Sequence, residues 1–131
     1  MSEQHSEPKR VVHLVERITV QGPGGEEIVR AKVDTGADRT TVDKDLAARL
    51  KLGPELSKVR IKASAGSQRV ERSVVDATIT VAGKSFKLKV GVADRSQMRY
   101  SVIIGRDILR SGDFLIDPTK RKKKPHTERS H

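Results

Sequence analysis

Apolar and polar positions alternate along this chain in short runs separated by glycine and proline, the pattern of half-buried strands. Val11–Val20 reads as extended and runs into the turn Gly22-Pro23-Gly24-Gly25. Ile28–Val33 follows, which predicts a first hairpin. Val59–Ala63 and Arg69–Ser73 flank Ala65-Gly66-Ser67 and predict a second. Val74–Val81, the turn Ala82-Gly83-Lys84 and Ser85–Val92 predict a third. Ser101–Ile104 is short and apolar, Arg106–Leu109 can form a helical turn, and Phe114–Ile116 reads as a last strand. Asp43–Leu52 breaks the pattern: Leu46, Ala47 and Leu50 share one helical face, Asp43 can cap its start, and Gly53-Pro54 stops it. Val and Ile supply 23 of the 31 aliphatic Val, Ile and Leu residues, which tilts the balance to strands. The expected class is mainly β with one or two short helices.

Composition sets the bounds on this picture. The 131 residues suit one compact unit, placed at 11–119, with polar and disordered tails at 1–10 and 120–131. Lys and Arg number 27 against 17 Asp and Glu, a formal charge of +10. Residues 120–131 hold six basic side chains and one acidic, so half of that charge belongs to the C-terminal tail. Such a tail suits solubility or loose association with nucleic acid. Phe86, Tyr100 and Phe114 are the only aromatics, too few for a base-stacking platform. Cysteine is absent, which excludes disulfide scaffolds and thiol catalysis. No apolar run approaches a membrane span and the N-terminus has no signal-peptide core, so no membrane partner and a cytoplasmic location are expected. His5, His13, His126 and His131 include no His-Glu-x-x-His pair, and no Gly-x-x-x-x-Gly-Lys loop exists for phosphate. Neither a metal nor another cofactor is expected, and His13 reads as a surface or packing residue.

The chemistry-bearing segment is Asp34-Thr35-Gly36-Ala37, directly after the strand Ile28–Val33. A carboxylate at a strand end, a small hydroxyl to lock the loop and a glycine that admits a substrate backbone form a compact catalytic unit. The same triplet also serves as an ordinary turn in which Asp caps its own backbone. A second segment gives it context. Val102-Ile103-Ile104-Gly105-Arg106-Asp107 runs from an apolar strand through glycine into a helical turn. The two segments together resemble the retropepsins, the single-domain aspartic proteases of retroviral type. Asp94-Arg95-Ser96-Gln97-Met98-Arg99-Tyr100 narrows the likeness to a microbial retropepsin-like family labelled ATP-dependent zinc proteases, encoded beside ATP-grasp ligases that add glutamates to proteins. The resemblance covers about Val29–Asp117.

That resemblance implies a closed acid-protease β-barrel working as a homodimer, because aspartic proteolysis uses two carboxylates and this chain has one Asp-Thr-Gly. Asp34 would be catalytic, Thr35 would tie the two loops together, and Gly36 would present its carbonyl to a peptide or protein substrate. Ile104, Gly105 and Arg106 would brace the loop, with Asp38 as the partner of Arg106. Ala37 replaces the Ser or Thr common in pepsin-type relatives, and loss of that hydroxyl donor implies an active form nearer neutral pH. The flap hairpin would contain Gly66, and its flanking Lys62, Arg69 and Arg72 would favour acidic substrates. Two other readings stay open: a non-catalytic retropepsin-fold binding or assembly module, and a ribosome- or nucleic-acid-associated protein acting through its basic tail.

Overall fold

A computed structural model of the chain describes residues 8–54, 57–62 and 69–119, with backbone alone for 57–62 and 69–71. Among the described residues, nine strands and two short helices run in the order β1 (Val11–His13), β2 (Val15–Gly22), β3 (Gly25–Val33), β4 (Thr41–Asp43), α1 (Lys44–Arg49), β5 (Ser57–Lys62), β6 (Arg69–Val81), β7 (Lys84–Ala93), β8 (Val102–Ile104), α2 (Arg106–Ser111) and β9 (Leu115–Asp117). Six strands lie in the order β2-β3-β8-β4-β7-β6, and β6 pairs back onto β2 through Thr19↔Thr80, Val20↔Ile79 and Gln21↔Thr78. The sheet therefore closes on itself as a six-stranded barrel, with β5 carried on the free part of β6. The mainly β class with two short helices is what the sequence predicts.

Alternation builds the wall. In β6, Val75, Ala77, Ile79 and Val81 are buried while Asp76 is exposed between them. In β3, Ala31 and Val33 point inward, and Arg30 and Lys32 outward. Ile18, Ile79, Ile104 and Ile108 are almost wholly enclosed, and truncation of any one to Ala costs about 2–5 kcal/mol.

Three elements depart from the sequence reading. Val11–Val20 splits at Leu14, because β1 pairs in parallel with β9 while β2 pairs with β3. Arg69–Ser73 and Val74–Val81 are one strand rather than parts of two hairpins. The apolar pair Val74-Val75 looks like a boundary, yet β6 stays extended because β7 lines one edge from Ser73 to Val81 while the other edge is taken by β5 up to Val74 and by β2 at Thr78–Thr80. Strand β4 was hidden because Thr41, Val42 and Asp43 are all buried and so show no alternation. Helix α1 behaves as expected at its start, where Asp43 accepts a hydrogen bond from the Asp45 amide at 3.0 Å, but it ends at Arg49, before Gly53-Pro54. The expected tails fall mainly outside the described residues. Just before β1, Lys9 pairs with Asp113 at 2.8 Å and Arg10 donates to the Ala82 carbonyl at 2.7 Å.

Candidate active site

The barrel brings the two motif segments together. β3 and β8 run parallel with Val33 beside Ile104, so the chain leaves the sheet at Asp34 exactly where β8 turns into α2 at Gly105. The Asp34 amide donates to the Ile104 carbonyl at 2.9 Å, and the Arg106 amide donates to the Ala37 carbonyl at 2.8 Å. The loop is thus stitched at both ends to the same strand–helix junction.

Within the loop, the Gly36 amide donates to Asp34 Oδ1 at 2.9 Å, and the Ala37 amide donates to the Asp34 carbonyl at 3.2 Å. A Cβ on Gly36 would lie 3.2 Å from Asp34 Oδ1, so a side chain there would crowd the carboxylate. Asp34 is half-buried; Thr35 and Gly36 are exposed and available to a partner or substrate. Arg106 closes the loop from outside: Nη1 donates to the Thr35 carbonyl at 2.6 Å and Nη2 pairs with Asp38. The Asp38–Arg106 pairing expected from sequence is present.

Beneath the loop lies a polar network that sequence reasoning missed. Thr40 is fully buried, and its hydroxyl donates to Asp107 Oδ1 at 2.7 Å while accepting the Gly105 amide at 3.1 Å. Asp107 also accepts the Thr40 amide at 2.8 Å and the Ile108 amide at 2.8 Å. The buried Thr40 hydroxyl thus links the Gly105 amide to a carboxylate that gathers three donors, which is how a satisfied polar network fixes a loop. Gly105 has to be glycine here, since a Cβ would sit 2.8 Å from the Arg39 carbonyl carbon and 2.9 Å from the Ala37 oxygen. The signals were available: a threonine beside the loop and an aspartate directly after Gly105-Arg106.

Two cations belong to the same neighbourhood. Burial and repulsion from Arg72 push the Arg95 guanidinium below its ordinary value, and the carboxylates of Asp43 and Asp34 oppose that shift. Arg95 is held in place by its Nε hydrogen bond to the Tyr100 carbonyl at 2.8 Å and by its amide, which donates to Asp43 Oδ1 at 2.7 Å. Burial alone lowers Arg72. Gly66, and the side chains of Lys62 and Arg69, lie outside the described residues. His13 packs between two acids, Glu16 at 3.0 Å and Asp117 at 3.5 Å, in keeping with a packing role. Among the described residues no group of three or more His, Cys, Asp or Glu could hold a metal ion, and no helix is long and apolar enough to cross a membrane.

A family model described as aspartyl protease matches residues 17–108, a span that includes the Asp34 loop and the Gly105-Arg106 junction. The chain belongs to the aspartyl protease family. Solved structures agree on the fold. The EIAV protease in complex with an inhibitor superposes with a TM-score of 0.63 at 24% identity, covering 88% of this chain and 99% of that one. A Legionella pneumophila protein of unknown function, Lpg0085, gives a TM-score of 0.55 at 19% identity, with 85% and 94% covered. No curated protein matches the chain. The fold of this aspartyl protease is therefore retropepsin-like.

Proposed function

We propose that this aspartyl protease is a homodimeric endopeptidase in which each chain contributes Asp34. The observation that carries the proposal is the Asp34 loop itself: a half-buried carboxylate with one oxygen held by the Gly36 amide, on a loop pinned by Ile104, Arg106 and the Thr40–Asp107 network. In the dimer, one Asp34 is ionised and takes a proton from water as the water oxygen bonds to the scissile carbonyl carbon. The other is protonated and donates to the carbonyl oxygen. Collapse of the tetrahedral adduct breaks the C–N bond, with a proton passing to the leaving amine. Neither step needs a metal or cofactor.

The terminal sheet supports the second copy. Val11, Leu14 and Leu115 on or beside β1 and β9 are 41%, 37% and 52% exposed, three of the five large apolar side chains exposed among the described residues. Two strands are too few to be stable alone, and a second copy would extend the sheet. Arg95, which feels the Asp34 charge, and Arg72, which feels Arg95, favour a substrate with an acidic side chain, and the Asp94–Tyr100 run supports placement in the microbial branch of the retropepsin-like proteins. Because Ala37 offers no hydroxyl to the carboxylates, activity should extend toward neutral pH; a profile peaking only below about 4 contradicts this. The decisive variant is Asp34→Asn. Loss of peptide cleavage with fold and dimer retained supports the proposal, and retained cleavage overturns it.

A further inference from the structure

The β2–β3 hairpin, the start of α1 and the 95–101 loop enclose an open groove of about 820 Å³. Its character is cationic. Arg17, Arg30 and Arg99 are exposed along it, and the half-buried Arg95 lines it too. Arg30 and Arg99 each lie 5.9 Å from the centre of the Tyr100 ring, so the ring holds two guanidiniums at one place without neutralising them. Two acids line it as well, Asp43 and the exposed Asp45 at the start of α1, so the five arginines of the lining outnumber the carboxylates. Asp43 caps α1 and accepts the Arg95 amide, and Glu27 is bound to Arg49 at 2.8 Å and 3.1 Å. The groove is also apolar: Ile28 is 65% exposed and Met98 57%, an arrangement that costs free energy unless something covers it.

We infer that this groove is a docking site, separate from the catalytic cleft, for an extended peptide segment that alternates acidic and apolar side chains. Guanidiniums pair with carboxylates through two parallel hydrogen bonds, and alternate residues of an extended peptide can meet the arginines while their neighbours cover Ile28 and Met98. Nucleic acid shares the anionic chemistry but would leave those two side chains uncovered. The inference rests on the proposed peptidase only in taking the bound segment as part of a substrate. Binding itself needs no catalysis.

The test therefore uses the full chain carrying Asp34→Asn, with fluorescence anisotropy of a labelled twelve-residue peptide of alternating Glu and Leu. Binding should weaken with salt and fall roughly tenfold or more when Arg30→Gln and Arg99→Gln are added. A charge-matched control, Lys87→Gln with Arg110→Gln on exposed positions elsewhere, should bind as the parent does, with thermal melting confirming that both doubles fold. Undetectable binding, equal losses in the two doubles, or displacement of the peptide by polyuridylate at lower concentration than by the unlabelled peptide would each overturn the inference. Because the protein is inactive throughout, a failed peptidase assay and a failed docking assay remain distinct results.

Discussion

The Asp34 loop and the terminal β1–β9 sheet make opposite uses of the same barrel. The loop is held within one chain: the amides of Asp34, Gly36 and Ala37, the Arg106 clamp and the Thr40–Asp107 pair all find partners from the same copy. The terminal sheet is incomplete: two three-residue strands joined in parallel, with Val11 and Leu115 turned outward. The difference divides the chemistry. One chain can position a carboxylate but supplies a single one, and the surface left unfinished is where a second copy would attach.

The largest effect is expected at the carboxylate. Asp34→Asn should lower peptide cleavage by at least about a thousandfold while leaving the melting temperature nearly unchanged, since the amide retains an oxygen for the Gly36 amide. Next comes the network beneath the loop. Thr40→Val leaves the Gly105 amide without its acceptor and removes one of the three hydrogen bonds to Asp107, and should cost about 2 kcal/mol in denaturant unfolding. Thr40→Ser, which keeps the hydroxyl, should recover most of that loss. If Thr40→Val proves neutral, the loop is not held from below and the contrast with the terminal sheet weakens.

At the sheet the expected pattern reverses. Leu115→Lys removes an exposed contact, so unfolding of the isolated chain should barely change while the dimer dissociation constant rises about tenfold, roughly 1.4 kcal/mol, by analytical ultracentrifugation. The smallest effect concerns exposed pairs that belong to neither region. Arg49 holds the Glu27 carboxyl below the usual range by a hydrogen bond, and Lys9 does the same for Asp113. A lowered folded value means that the contribution is present above the ordinary carboxylate range and is lost as pH falls through the lowered one. Glu27→Gln should therefore flatten the acid limb of the stability curve slightly and leave neutral pH unaffected, because exposed pairs are strongly screened.

Much of this was legible in the sequence where local pattern and local structure coincide. The alternation of β3 and β7, the Asp43 cap and the glycine turns mark themselves, and the Asp34 and Gly105-Arg106 segments stand out by residue type. What stayed hidden was set by partners distant in sequence. Strand β4 is buried on all sides, so it lacks a period; β6 changes neighbours along one edge without changing direction. Thr40 and Asp107 are unremarkable polar residues until the barrel places their oxygens 2.7 Å apart. Asp38 and Arg106 could be paired in advance only because the family resemblance pairs them.

The central claim is that two copies of a complete loop make one catalytic centre. A crystal structure of the protein as it exists in solution tests this directly through the separation of the two Asp34 carboxylates. The account predicts a dimer joined through the terminal sheets with those carboxylates in hydrogen-bonding reach, about 3 Å apart. A monomer, or a dimer through another face that leaves the carboxylates far apart, would contradict it.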